Sequence, residues 1–150
     1  MELRRMQQAD IPAIAALEKQ CFSQPWSEQA LAAELQNKNA LFLAAFEAGK
    51  LIGYLGMHCV LDEGYIANVA VDEAYRRRGV ATALLNALLK TARQRRLGFV
   101  TLEVRQSNAP AIAFYEKSGF KAVGRRKNFY ANPMEDAVLM TIFLQTGVIG

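Results

Sequence analysis

One stretch, residues 68–82, limits the possible folds most strongly because its hydrophobic pattern changes in the middle. Its first part is apolar after Asn68 and has strand character, whereas leucines recur at helical spacing after Ala81. The change falls on a basic turn that ends at Gly79. The first N–H groups of a helix lack internal partners, and the helix dipole adds positive character there. The stretch therefore predicts a strand, a turn and a helix whose first turn binds an anion, above all phosphate.

The residue types in the turn suit a phosphate group. Gly79 and Ala81 are small, so a ligand can approach the backbone closely. Three arginines, Arg76, Arg77 and Arg78, add positive charge. The Gly-Lys-Ser/Thr of a nucleotide-hydrolase loop and the Gly-x-Gly-x-x-Gly of a dinucleotide site are both absent. On this stretch alone, a solvated turn with a basic rim is an equally good interpretation.

Length and composition predict one globular domain over residues 1–150. The chain is 52% hydrophobic and 21% charged, which is ordinary for a protein that buries a core. Its net charge of +4 suits a polyanionic ligand, either a nucleic acid or a phosphorylated cofactor. An excess of this size is also compatible with solubility alone.

Membrane, secretory and metal-binding classes find no support in the sequence. No apolar run approaches the roughly 20 residues of a membrane helix. Residues 1–8 lack the apolar segment of a secretory signal, so we expect a cytoplasmic protein without membrane association. Cys21 and Cys59 are far apart, which indicates neither a metal site nor a redox pair.

Hydrophobic periodicity predicts a mixed α/β sheet covered by helices. The order is one strand, two helices, three meandering strands, and then helix, strand, helix and two strands. Asp10 and Ser27 are the expected caps of the first two helices, and Gly98 is expected to end the third. The strands are expected at 2–6, 40–47, 51–60, 65–71, 99–105, 120–129 and 136–144, and the later helices at 80–96 and 108–118.

Glu103 is the first candidate catalytic residue. Alternation along residues 99–105 places Val100, Leu102 and Val104 on one face and Glu103 on the other. A carboxylate within an apolar strand is unusual unless it is paired. It is either a salt-bridge partner of Arg105 or another arginine, or a general base.

Tyr115, twelve positions later, is the second candidate. It is either a core aromatic with its hydroxyl at the rim or a general acid, since a phenol stays protonated at neutral pH. Ser107 or Asn108 caps the same predicted helix, and Asn108 is either only a cap or also a hydrogen-bonding group for a cofactor. His58 has no Ser or Cys partner at a recognisable spacing, so a structural role is favoured. Arginines after residue 92 suit a helix C-terminus, which makes nucleic-acid binding unlikely.

These motifs together resemble the GNAT family of acetyltransferases. Arg76, Gly79 and Ala81 match the family's pyrophosphate loop, Arg/Gln-x-x-Gly-x-Gly/Ala. The resemblance covers about residues 2–144. Within the family, the sequence more specifically resembles the RimI type, which acetylates the N-terminal alanine of a small-subunit ribosomal protein. The segments that carry the narrower resemblance are 25–27, 68–72, 102–108, 111–120, 125–130 and 135–137.

The resemblance implies a GNAT fold with a V-shaped, mixed and mostly antiparallel sheet. Acetyl-CoA would be the co-substrate, lying where two neighbouring parallel strands splay apart, and no metal would be required. Asn108 would contact it near its thiol end. The backbone of Val69, Ala70 and Val71 would hold the pantetheine arm, and the pyrophosphate would be held by Arg76, Arg77, Arg78, Gly79, Val80, Ala81 and Thr82.

The resemblance also implies catalytic and substrate-binding roles. Glu103 matches the family's base and Tyr115 its acid, while Trp26 and Tyr130 would contact the N-terminal peptide of a ribosomal protein. Phe129 departs from the pattern, because relatives often have a first tyrosine there. Peptide preference therefore stays open, and a small-molecule amine or another protein N-terminus is the alternative substrate.

Overall fold

The computed structural model describes residues 1–144, and the strands and helices within them follow the order that the sequence predicts. The fold is a mixed α/β arrangement, and the predicted fold class is confirmed. Short 3-10 helices lie at Gln8–Asp10 and Glu73–Tyr75. The strands are β1 (Glu2–Arg5), β2 (Ala40–Glu47), β3 (Lys50–Val60), β4 (Glu63–Val71), β5 (Phe99–Arg105), β6 (Lys121–Tyr130) and β7 (Glu135–Phe143). The helices are α1 (Ile11–Cys21), α2 (Glu28–Leu35), α3 (Val80–Gln94) and α4 (Ala109–Lys117).

Backbone contacts group the chain into two compact units. The first contains Met1–Val60 and Ile66–Thr91, and the second contains Leu61–Tyr65 and the chain from Ala92 onward. Strand β4 and helix α3 each contribute residues to both units. The assignment of residues 1–150 to one domain stays a prediction.

The first unit is built on the strand order β1-β2-β3-β4. Strands β1, β2 and β3 pair antiparallel, and the β2–β3 hairpin turns through Ala48 and Gly49, which both have positive φ. Its core is apolar and tightly buried, with Ile14, Leu31 and Tyr54 fully shielded from solvent. Burial of such side chains is the main favourable term in folding.

The two N-terminal helices begin differently from each other. Ser27 caps α2 as predicted, because its Oγ accepts a hydrogen bond from the N–H of Ala30 at 3.0 Å. Asp10 stands before α1, but its side chain makes no cap bond to that helix. Its carboxylate instead accepts the N–H of Gln7 and the guanidinium of Arg4, each at 2.8 Å. Asp10 thus occupies the predicted N-cap position of α1, but its carboxylate bonds to Arg4 and Gln7 and does not cap the helix.

The second unit carries the strand order β4-β5-β7-β6. Strand β5 pairs parallel with the first three residues of β4, from Glu63↔Phe99 to Tyr65↔Thr101. It pairs antiparallel with β7 along its whole length. Strand β4 thus starts at Glu63, two residues earlier than predicted, because this pairing extends it.

Gly98 does not end helix α3 in the way the sequence suggests. The left-handed position is taken by Arg96, with φ of 58°, and the N–H of Leu97 returns to the carbonyl of Ala92 at 3.0 Å. Gly98 instead donates its N–H to the carbonyl of Asp62 at 2.6 Å. A Cβ at Gly98 would lie 3.3 Å from a carboxylate oxygen of Asp62, which would have to shift slightly to accommodate it.

Two further observations concern the membrane and metal-binding classes, for which the sequence gives no support. Within residues 1–144, no helix combines the length and apolar character needed to cross a bilayer. The same residues contain no group of three or more His, Cys, Asp or Glu side chains placed to hold a metal ion. Cys21 and Cys59 are both free thiols and are partly buried.

Candidate active site

The turn between β4 and α3 presents backbone donors to solvent. Arg77 and Gly79 adopt positive φ, of 64° and 79°, and α3 begins at Val80. Ala83 donates to the carbonyl of Gly79 at 2.9 Å and closes the first helical turn. Among residues 1–144, no group accepts a hydrogen bond from the N–H groups between Gly79 and Thr82. These donors fit a phosphate group.

The space above this turn is open. A Cβ added to Gly79 would meet no atom within 4 Å. Arg77 and Arg78 are exposed, and the Arg78 guanidinium lies 5.3 Å from the ring centre of Tyr75. The turn therefore combines free N–H groups, room for an oxyanion and positive charge, and the residues present fit the pyrophosphate of coenzyme A.

Arg76 is exposed, and its guanidinium also contacts the protein beside the turn. Its Nε donates to the carbonyl of Val71 at 3.3 Å, and its Nη2 lies 3.6 Å from the Sγ of Cys21. The residue thus ties the turn to the end of β4. Its side chain is exposed like those of Arg77 and Arg78, so all three arginines add positive charge at the surface of the turn.

Residues Val69, Ala70 and Val71 form the end of β4 within the first unit. Ala70 is buried, and the two valines are partly exposed. Gly53 on β3 approaches this segment closely, because a Cβ there would lie 3.1 Å from the carbonyl of Ala70. Gly53 was not among the predicted site residues, although a glycine inside an apolar strand is a known signal of close backbone approach.

In the second unit, Glu103 is a paired and nearly buried carboxylate. Its Oε2 accepts a hydrogen bond from Nε of Arg126 at 2.6 Å, and its Oε1 accepts one from the hydroxyl of Tyr65. Only 5% of the side chain is exposed. The predicted ion pair with an arginine is present, and its partner is Arg126 rather than Arg105. The alternation along β5 is as predicted, with Val100, Leu102 and Val104 buried.

Sequence reasoning missed Tyr65 as a partner of Glu103. Tyr65 pairs with Thr101 in the parallel ladder, and Thr101 shares a strand face with Glu103 two residues later. Only this register predicts the contact between Tyr65 and Glu103, because periodicity alone does not show which strands are neighbours. Burial and the hydrogen bond to Glu103 both raise the pKa of Tyr65, so its phenol stays a donor at neutral pH.

Tyr115 is buried, and its hydroxyl makes no hydrogen bond to the other described residues. The ring is 8% exposed and packs edge-on against Phe114 and Phe120, at centroid distances of 5.1 and 5.6 Å. Burial, with a smaller effect of Tyr130, raises the pKa of Tyr115 to about 12.

The pKa of Tyr130 is affected by the charges of Glu103 and Arg105. Burial raises its pKa to about 12, and the nearby Glu103 carboxylate adds to the effect. The Arg105 guanidinium sits 4.5 Å from its ring centre, within cation–π range. Arg105 also donates to the carbonyls of Ala131 and Pro133, at 3.1 and 2.9 Å. It therefore holds the β6–β7 turn in place beside Tyr130.

The two remaining candidates have defined local roles. Asn108 is the cap of α4, because its Oδ1 accepts the N–H of Ala111 at 3.2 Å. Trp26 donates its backbone N–H to Oε1 of Glu18 at 2.8 Å, and its ring lies 6.0 Å from that of Phe42. His58 pairs with Glu34, in keeping with the structural role expected for it.

Comparisons with known proteins agree with one another. The sequence profile described as "Acetyltransferase (GNAT) family" matches residues 11–120. The ribosomal protein bS18-alanine N-acetyltransferase of Escherichia coli (strain K12) is 36% identical over 139 residues, which cover 91% of this chain and 93% of that enzyme. The enzyme of the same name from Haemophilus ducreyi is 34% identical over 140 residues, 90% of this chain and 94% of the relative.

Solved structures give the same result. The crystal structure of the ribosomal-protein-S18-alanine N-acetyltransferase from Escherichia coli superposes with a TM-score of 0.90 at 34% identity, covering 98% of this chain and 96% of that one. Ard1 from Thermoplasma volcanium superposes with a TM-score of 0.88 at 26% identity, over 97% of this chain and 98% of that one. The likeness therefore extends over nearly the full length of each chain.

Proposed function

This chain belongs to the acetyltransferase (GNAT) family and has its fold, and from that premise we propose that it acetylates the N-terminal alanine of ribosomal protein bS18. The observation that carries this proposal is the 36% identity to the Escherichia coli enzyme over 93% of that enzyme's length. Because a ribosomal protein is synthesised in the cytoplasm, the enzyme works there.

Acetyl-CoA supplies the acetyl group as a thioester. Its pyrophosphate is bound by the free N–H groups from Gly79 to Thr82 and by Arg76, Arg77 and Arg78, and Arg76 also contacts the end of β4. The backbone of residues 69–71 holds the pantetheine arm, and Asn108 contacts the cofactor near its thiol. The N–H of Val71 is the proposed donor to the thioester oxygen, where negative charge develops.

Glu103 is the proposed general base. An α-amine has a pKa near 7.7–8.0, so a carboxylate can accept its proton directly or through one water. The amine nitrogen then forms the amide bond to the acetyl carbon as the carbon–sulfur bond breaks. Arg126 and Tyr65 fix the position of both carboxylate oxygens, which keeps the base oriented before the substrate arrives.

Tyr115 is the proposed general acid and gives its proton to the departing sulfur. A pKa of about 12 keeps the phenol protonated throughout the working pH range. Its hydroxyl makes no competing hydrogen bond among the described residues, so it is available for transfer. No covalent acetyl-enzyme is required.

The peptide substrate is proposed to contact Trp26 and Tyr130. Arg105 supports Tyr130 through the stacked guanidinium, which gives this wall a defined shape. Phe129 is 46% exposed and lacks the hydroxyl of a tyrosine, so it offers an apolar surface instead. Small amines would leave such a wall unused.

A panel of acceptors tests the proposal. The chain is incubated with acetyl-CoA and synthetic peptides that begin with the bS18 sequence, with Ser or Gly replacing the first Ala, with an N-terminally blocked peptide, and with a polyamine. Mass spectrometry should show one acetyl group on the Ala peptide and none on the blocked peptide. Preferential acetylation of the polyamine, or of the replaced peptides, would overturn the substrate assignment in favour of the alternative acceptors.

A further inference from the structure

Glu18 is a fully buried carboxylate in the last part of α1 that the proposed chemistry does not use. Its Oε1 accepts the backbone N–H of Trp26 at 2.8 Å. Its Oε2 accepts the Tyr54 hydroxyl at 2.5 Å and Nδ2 of Asn68 at 2.8 Å. The donors come from three different elements: the loop after α1, strand β3 and strand β4.

A buried carboxylate is costly unless donors surround it. Burial raises the pKa of Glu18, so the ionised form depends on the three hydrogen bonds. Loss of one donor leaves a desolvated oxygen, which weakens the remaining bonds of a shared network. The positions of Trp26 and Asn68 are thus energetically linked through one side chain.

The end of α1 is fastened to the end of β4 by further contacts. The Sγ of Cys21 lies 3.6 Å from the carbonyl of Val71. The side-chain oxygen of Gln20 accepts the N–H of Glu73 at 2.8 Å. Together with the Asn68 contact, they hold both ends of the segment to which the pantetheine arm is assigned. Residues 22–27, here called the Trp26 loop, continue directly from this end of α1.

We propose that Glu18 is a positioning residue that couples cofactor binding on β4 to the Trp26 loop, so that this loop is ordered for the peptide when acetyl-CoA is bound. This inference rests on the proposed function. Binding of the cofactor along residues 69–71 restrains β4 and hence Asn68. A restrained Asn68 holds Glu18 in its bonded position, and Glu18 holds the N–H of Trp26. Binding of the second ligand then costs less conformational entropy, because the loop is already ordered.

Such coupling must be reciprocal, since each ligand changes the other's affinity by the same factor. Coenzyme A should therefore strengthen peptide binding, and the peptide should strengthen coenzyme A binding. Typical couplings between sites are about 5-fold to 150-fold. The effect is expected in binding as well as in KM, which separates positioning from a role in the chemical step.

Trp26 is the only tryptophan of the chain and reports directly on its own loop. Fluorescence emission is followed during titration with coenzyme A alone, and calorimetry measures binding of coenzyme A in the same samples. Wild-type protein should show a change in emission that saturates with coenzyme A occupancy. Saturating coenzyme A should also tighten binding of an Ala-starting peptide about 5-fold or more.

Glu18→Gln and Asn68→Ala test the coupling, and Glu34→Gln is the matched control. Glu34 lies in the same unit and pairs with His58, but it has no bond to the Trp26 loop. Both test variants should bind coenzyme A with little change yet lose the emission change and the peptide enhancement. Glu34→Gln should keep both. Thermal melting confirms folding, and Asn68→Ala carries the test if Glu18→Gln does not fold.

The outcomes distinguish this inference from the proposed function. A wild-type protein that acetylates the peptide but shows no change at Trp26 overturns the coupling and leaves the function intact. Undiminished coupling in Asn68→Ala also overturns it. Absence of coenzyme A binding to the wild type would overturn both.

Discussion

Arg126 donates through Nε to Oε2 of Glu103 across 2.6 Å, although the two residues lie on strands separated by β7. The second oxygen of the same carboxylate is occupied by the hydroxyl of Tyr65. Glu103 is thus fixed at both oxygens by groups that sequence reasoning did not assign to the site. The proposed base is oriented by the protein itself, which reduces the reorganisation needed at the moment of proton transfer.

Tyr65→Phe is expected to lower kcat because one of the two contacts that orient Glu103 is lost. A hydrogen bond to a charged group contributes about 1.5–3 kcal/mol, which corresponds to roughly 10-fold to 100-fold in rate if it is fully expressed in the transition state. The KM for acetyl-CoA should change little. Tyr75→Phe is the matched control, since the Tyr75 hydroxyl makes no hydrogen bond within residues 1–144. Equal activity of wild type and Tyr65→Phe would contradict the positioning role.

Tyr115→Phe removes the proposed proton donor while keeping the buried ring. General acid–base catalysis contributes about 10²-fold to 10⁴-fold, so kcat should fall by that order. The KM for acetyl-CoA and the melting temperature should be nearly unchanged, because the contacts with Phe114 and Phe120 involve the ring only. Steady-state kinetics measure both constants. A fall in kcat of less than about 10-fold would rule out the acid assignment.

Gly79→Ala tests the pyrophosphate turn, and Gly49→Ala provides a close control. Both glycines have positive φ, of 79° and 82°, and a Cβ at either position meets no atom within 4 Å. Each substitution should therefore cost a similar backbone strain of about 1–2 kcal/mol. Only Gly79→Ala should also weaken coenzyme A binding in calorimetry, because its methyl group enters the space assigned to the phosphate. Equal affinity of the two variants would argue against this location.

The stability contribution of Glu18 should depend on pH in a defined direction. Burial raises its pKa in the folded state above the usual value of 4.5. Folding then favours the protonated form, so its stabilising effect is full below pH 4.5 and is lost as pH rises through the folded-state pKa. The melting temperature of wild type relative to Glu18→Gln should therefore be higher at pH 4.5 than at pH 8. A difference that stays constant or grows with pH would contradict the raised pKa.

The sequence predicted local features well, since they depend on neighbouring residues. The bounds of β2 and β5 match because alternation and apolar runs define them. The cap at Ser27 and the turn at Gly79 follow from local backbone chemistry in the same way.

Features that depend on strand neighbours were not predictable from periodicity. The contact of Tyr65 with Glu103 needs the parallel register of β4 and β5, and the contact of Arg126 needs the pairing of β6 with β7. The same limit explains why the role of Gly98 was not predicted. Gly98 packs closely against Asp62 and does not end α3. The burial of Glu18 could not be predicted from the sequence, because it depends on how α1 packs on the sheet.

Direct transfer to an N-terminal amine is tested most directly by a single-turnover experiment. Enzyme in excess over acetyl-labelled acetyl-CoA is mixed with an Ala-starting bS18 peptide, and the label is located by N-terminal mass spectrometry. The account predicts one label on the peptide's α-amine for each thiol released, with none on the protein at any time. Label retained on the protein, or thiol release without labelled peptide, would contradict it.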